Sequence, residues 1–208
     1  MALVKHGQSF KTMAITINGN GTLTGVSVGG LPDGIVDTDM LAAGAVTAVK
    51  KGTGSILQVV SAFSNTHLSS SSTTYVDLTG VTATITPTSS SNKILIMCSI
   101  ALSKENNHSF HGRIVRDGSE ISGSGGATSN NQEINGVWWN IRTAVYSANP
   151  SSINYLDSPS TTSAVTYKAQ GKTSGSSHGF SLNRTGDSGN DLYNSPGFSQ
   201  ITLMEVAA

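Results

Sequence analysis

Val81-Thr82-Ala83-Thr84-Ile85-Thr86-Pro87 and, after a polar turn, Lys93-Ile94-Leu95-Ile96-Met97-Cys98-Ser99-Ile100-Ala101-Leu102 form the stretch whose reading decides the fold. Val81, Ala83 and Ile85 alternate with three threonines, the period of two that gives a strand one buried face and one hydroxyl-coated face. Pro87 ends that strand, because proline cannot donate to a sheet ladder. The second run is apolar in both phases. Ile94, Ile96, Cys98, Ile100 and Leu102 are expected to line a core, whereas Leu95, Met97 and Ala101 need a second cover, a packed sheet edge or another subunit.

Outward from this stretch the pattern repeats. Strands are expected at 56–63, 75–78, 81–86, 93–102, 110–116, 137–146, 153–156, 164–170, 180–182 and 198–206. Ser/Thr, Gly/Ser or Asn/Pro segments separate them, among them Asp117-Gly118, a hairpin signal, and Asn149-Pro150, read as a turn. Many short strands with almost no helical periodicity predict an all-β chain, an antiparallel β-sandwich of jelly-roll-like character.

Residues 1–52 read differently. Glycine punctuates them every few positions, Asn18-Gly19-Asn20-Gly21 signals a turn between two short strands, and Leu31-Pro32-Asp33-Gly34 interrupts the chain. A short helix is expected from Thr38, capped by Asp37, with Lys50 and Lys51 near its C-terminal end. Gly44 weakens this helix, so it needs partners such as its equivalents in sister chains. The division is therefore a segment of attachment and trimerisation at 1–52 and a β-sandwich domain at 53–208.

Composition narrows the function classes. Charged residues make up 12% of the 208 residues, against about 25% in ordinary globular proteins, and Ser, Thr, Asn and Gly supply the polarity instead. With 12 basic and 12 acidic side chains and no basic cluster beyond Lys50-Lys51, nucleic acid has no electrostatic handle. The lone Cys98 excludes an intrachain disulfide and reads as a small buried apolar residue. Neither a signal-peptide core nor a membrane-length apolar run is present, so no membrane insertion is expected.

Motifs that suggest chemistry fail on context. Gly25-Val26-Ser27-Val28-Gly29 and Gly175-Ser176-Ser177-His178-Gly179 match the hydrolase nucleophile pattern, but neither lies between a strand and a helix. His108 and His111 are three apart, a spacing that on a strand sends them to opposite faces. Asp33, Asp37 and Asp39 lack the order of a calcium loop and are accounted for by turn formation and capping. Trp138 and Trp139 are adjacent, so one faces inward. The other serves either a subunit interface or as a platform for a sugar ring. No catalytic, cofactor-binding or metal-ligating residue is assigned, and an enzyme is not expected.

The run from Ile15-Thr16-Ile17-Asn18-Gly19-Asn20-Gly21 through Leu31-Pro32-Asp33-Gly34-Ile35-Val36-Asp37-Thr38-Asp39-Met40-Leu41-Ala42 resembles the N-terminal segment of tail fibres and tail-fibre-like virion structural proteins of tailed phages, marine and cyanobacterial ones in particular. Ile56-Leu57-Gln58-Val59-Val60, Tyr75-Val76-Asp77-Leu78, Ala83-Thr84-Ile85-Thr86-Pro87, Ser91-Asn92-Lys93-Ile94-Leu95-Ile96 and Ile201-Thr202-Leu203-Met204-Glu205 are similar to the C-terminal β-domain of many phage fibre and receptor-binding proteins. Residues 104–132 and 171–196 carry no such likeness.

The resemblance implies a homotrimer that attaches to other virion proteins, of tail or capsid, through its N-terminus and touches a host surface glycan or protein with its distal head. It also implies assembly in the host cytoplasm and release by lysis. Avidity from three weak sites would then give firm attachment. Loops on a rigid scaffold are the usual place for recognition, so the candidate host-contact residues are Asn106, Asn107, His108, Trp138 and Tyr193. The alternative is a purely architectural protein: a capsid head fibre, a decoration protein or a tail adaptor.

Overall fold

A computed structural model describes residues 16–17, 23–24, 45–46, 50–104, 109–121, 137–141, 149–177, 179–185 and 196–208; for 16–17, 23–24, 104, 137–141 and 149 the description is of backbone alone. The chain divides into Met1–Thr47 and Ala48–Ala208. In the first unit β1 (Thr16–Ile17) and β2 (Leu23–Thr24) pair antiparallel, Ile17 opposite Leu23, around the Asn-Gly-Asn-Gly signal. The helix expected from Thr38 lies outside the described residues except for Ala45, Val46, Lys50 and Lys51, none of which is α-helical.

The second unit is built from β3 (Ile56–Ser64), β4 (Leu68–Ser70), β5 (Val76–Ile85), β6 (Lys93–Lys104), β7 (Phe110–Arg116), β8 (Ser119–Glu120), β9 (Val137–Ile141), β10 (Asn149–Asp157), β11 (Val165–Thr173), β12 (Phe180–Leu182) and β13 (Ser199–Val206). Every pairing is antiparallel, and no α-helix occurs among the described residues. One sheet runs β3-β13-β6-β12-β4 with β10 on the other side of β6; the second runs β5-β11-β7-β8 with β9 also on β7. Because β12 continues the column of β13, and β4 that of β3, the first sheet is four columns wide: β3/β4, β13/β12, β6 and β10. The long pairs nest: β3 with β13, β5 with β11, β6 with β10, β7 with β9.

The inward phases of both sheets meet in one core. Ile94, Ile96, Cys98, Ile100, Leu102, Ile201 and Leu203 come from the first sheet, and Leu78, Val81, Ile85, Ile114, Tyr167 and Ala169 from the second. Phe110 meets Phe180 edge to face, with centroids 4.9 Å apart at 73°. Gly171 makes room for this, because a Cβ there would overlap the Phe110 ring and sit 3.2 Å from Leu78. Burial pushes the Cys98 thiol up to about 12, so it is a protonated core residue.

Two polar clasps stand at one end of the first sheet, flanking Ile94. Asp157, at the end of β10, accepts hydrogen bonds from the Tyr167 hydroxyl and from Arg116, both at 2.7 Å, tying one sheet to the other. Burial raises the Tyr167 pKa, and its bond to Asp157 raises it further. On the other side of β6, also level with Ile94, the buried Glu205 carboxylate gathers Gln58, Thr88 and Asn92. The Asp117-Gly118 turn takes the left-handed conformation at both residues, φ 49° and 80°. Its return strand is Ser119–Glu120, followed by the buried Ile121.

Four expectations are corrected. Residues 75–78 and 81–86 belong to one strand, β5, in which Leu78 to Val81 bulge opposite Ala169; Gly80 supplies the positive φ of 76° and lies against Ser64. The bulge buries both Leu78 and Val81, three apart, and so breaks the period of two. Asn149-Pro150 is not a turn but the start of β10, where Pro150 opposes Ala101 on a strand that, among the described residues, pairs with β6 alone. The missing N–H of a proline is tolerated at such an edge. β11 continues through Gly171 to Thr173, and the Ser/Thr tract before Tyr75 contains β4.

Candidate functional site

Alternation leaves each sheet an outer face, and the two outer faces differ. On the second sheet it carries charge. Arg113 lies over the Tyr75 ring, its Cζ 3.9 Å from the centroid, with the Lys172 Nζ at 4.7 Å. Arg113 also donates to Gln170 at 2.9 Å and pairs with Glu120. Asp77 binds Lys168 at 3.0 Å and accepts from Gln170 at 2.7 Å. The Gln170 bond chiefly holds the Asp77 carboxyl below its ordinary value.

The outer face of the first sheet carries almost no charge. Its rows follow from the registers. Val59, Met204, Leu95 and Leu156 stand side by side across β3, β13, β6 and β10. The next row is Ser61, Thr202, Met97 and Asn154, and the next Phe63, Gln200, Ser99 and Ser152. Lys93, at the β6 end, is the charged side chain in the outward phase of these four strands. Ser61, Thr202 and Gln200 bond to one another at 3.0–3.1 Å, while Ser99, Ser152 and Asn154 show no side-chain hydrogen bond.

Exposure marks this face out. Among the described residues of the second unit, the large apolar side chains that are exposed are Ile56, Val59, Phe63, Met97, Leu156 and Phe198, with Phe63 71% and Phe198 64% accessible. All lie in the outward phase of the first sheet or, for Phe198, directly before β13 in that phase. Scattered exposed hydrophobics are normal, but a contiguous set confined to one face marks an interaction surface. Two shallow depressions mould it. One of ≈ 200 Å³ is floored by Met97 between Ser152, Asn154, Gln200 and Thr202; another of ≈ 500 Å³ lies between Phe63 and Phe198 with Asn65 and Gln200.

Of the residues expected to face the cover on β6, Leu95 is half-buried and Met97 is 41% exposed, whereas Ala101 is buried. Asn183, Gly197 and Ser199 close over Ala101: the Ala101 N–H reaches the Ser199 Oγ at 3.1 Å and its carbonyl accepts from the Asn183 N–H at 2.8 Å. Gly197 is required there, since a Cβ would stand 2.6 Å from that of Ala101.

Asn106, Asn107, His108 and Tyr193 lie outside the described residues. Trp138 is described by its backbone, at the register position opposite Arg113, and Trp139 opposite Gly112. Asp33, Asp37 and Asp39 also fall outside. Among the described residues no three His, Cys, Asp or Glu side chains gather as a metal site would need, and no helix is long and apolar enough to cross a membrane. Sequence reasoning missed Val59, Phe63, Leu156, Met204 and Phe198 as surface residues. The available signal was that each is apolar in the phase opposite to its strand's core residues.

A comparison with protein-family models finds none that matches the chain, and a search of curated proteins finds no significant match.

Proposed function

We propose that the chain is a non-enzymatic structural component of a tailed-phage virion: a short trimeric fibre, held to the tail by its N-terminal segment, whose β-domain meets the host surface. The observation that carries this reading is the apolar outer face of a well-formed sandwich, which needs an assembly partner to be covered. The nested pairing β3/β13, β5/β11, β6/β10, β7/β9 supports a jelly roll, an architecture common in capsid and lectin domains. The near absence of charge, and the likeness of residues 15–42 and of the strand motifs to phage fibres, point the same way.

The test is competition. The purified full-length chain, added in excess, is expected to lower the adsorption rate of the phage that carries it at least tenfold, and antibodies to the chain to label the tail. Labelling without competition favours the architectural alternative, a head fibre, decoration protein or tail adaptor. A purified virion without the chain refutes both.

A further inference from the structure

We propose that the outer face of the sheet formed by β3, β13, β6 and β10 lines the threefold axis of the homotrimer, with Leu95, Met97, Thr202 and Met204 of three copies meeting there. The inference rests on the reading that the chain trimerises, and adds which surface does it. The occupant is a second and third copy of the same chain for two reasons.

The first is charge. The face has no acidic side chain and only Lys93, at one end, as a cation. It can therefore oppose its own image without like-charge repulsion, and it offers a charged partner nothing to pair with. The opposite outer face, with Arg113, Lys168, Lys172, Asp77 and Glu120, has the composition of a surface left in water.

The second is width. Four columns at about 4.8 Å per strand span about 19 Å. Three such sheets closed into a triangle stand about 5.5 Å from the common axis, close to half the spacing of about 10 Å at which sheets pack face to face. Side chains of ordinary length then fill the prism. The two middle columns, β13 and β6, come nearest the axis, which places the pairs Leu95/Met204 and Met97/Thr202 there.

The experiment is light scattering and sedimentation on the full-length chain at micromolar concentration. The wild type is expected at three times the 21.4 kDa chain mass. Met97→Glu and Leu95→Glu each set three carboxylates around the axis and are expected to move the midpoint of dissociation to at least 100-fold higher concentration. Thr84→Glu, on the other outer face, should leave the midpoint unchanged. Thr202→Cys guards against a misfolded variant: under mild oxidation it should give disulfide-linked pairs of chains, and Thr84→Cys none. A trimer that survives both glutamate substitutions, or in which Thr202→Cys does not cross-link, refutes this face while leaving the trimeric reading in place. A wild type at the mass of one or two chains overturns both.

Discussion

Glu205→Ala isolates the most concentrated set of polar bonds in the described structure. Glu205 is fully buried three residues from the C-terminus. Its Oε1 accepts from the Thr88 N–H at 2.6 Å, the Thr88 hydroxyl at 2.8 Å and the Asn92 amide at 2.6 Å, and its Oε2 accepts from the Gln58 amide at 2.6 Å. Truncation leaves the Thr88 N–H without its acceptor; the Asn92 amide keeps its bond to the Thr88 hydroxyl at 3.2 Å and Gln58 its bond to the Thr86 carbonyl. An orphaned buried donor costs about 1–3 kcal/mol, and with the lost charge-assisted bonds from Asn92 and Gln58 the total is about 3–5 kcal/mol. At about 2–4 °C per kcal/mol for a domain of this size, Tm should fall by about 6–20 °C. Melts followed by circular dichroism, at one fixed chain concentration because self-association shifts Tm, provide the measurement.

The same residue predicts a pH dependence. Burial alone would raise its pKa, but the bonds from Asn92, Gln58 and Thr88 outweigh it and hold the carboxyl below the ordinary value of 4.5. A carboxyl with a depressed folded-state pKa adds stability that is complete above its unfolded value and is lost as pH falls through the folded one. The wild type should therefore lose stability below about pH 4.5, and the gap between it and Glu205→Ala should narrow there. A variant melting within about 1 kcal/mol of wild type at pH 7, or a gap that does not change on acidification, would refute the reasoning.

Other expectations follow from single contacts. Gly171→Ala forces a methyl into the Phe110 ring and should destabilise the domain by about 1–3 kcal/mol in urea titration; a neutral outcome would mean that Phe110 is not seated as described. Tyr167→Phe removes a donor from Asp157 and should cost about 1–3 kcal/mol by the same assay, with circular dichroism of the native state unchanged. With its pKa at about 12, Cys98 should resist iodoacetamide at pH 7 in the native chain and react on unfolding. A native rate close to that of a free thiol would contradict its burial.

The fold was legible wherever burial on one face imposed a strict period. Val81, Ala83 and Ile85, and the inward phase of β6, sit in the core as the alternation requires. It was not legible where backbone freedom or distant partners decide. The bulge at Gly80 depends on a left-handed φ that neighbouring residue types only hint at, and it makes one strand look like two. Pro150 reads as a breaker until the topology shows β10 to be an edge. Glu205 falls in the inward phase of Ile201 and Leu203, yet a carboxylate is an improbable core residue without its donors. Those donors lie 113 to 147 residues away along the chain, beyond any local pattern.

The candidate face was half visible for a related reason. Leu95 and Met97 declare themselves because their strand is apolar in both phases, but one strand cannot show whether its neighbours agree. Only the registers bring Val59, Met204 and Leu156 into line with Leu95, turning isolated out-of-phase residues into a row. The low charge of the whole sequence then takes on a second meaning. Apart from Arg116, which serves the Asp157 clasp, the cations and anions on the strands of the second sheet are spent on its outer face, around Tyr75 and Asp77, and the outer face of the first sheet is left, Lys93 apart, with hydroxyls, amides and hydrocarbon. A chain that had to keep both faces wet would gain from charge on each, as soluble domains ordinarily do. Withholding charge from one face is useful where that face is buried by a copy of itself, since any fixed charge there would be repeated by symmetry against its like.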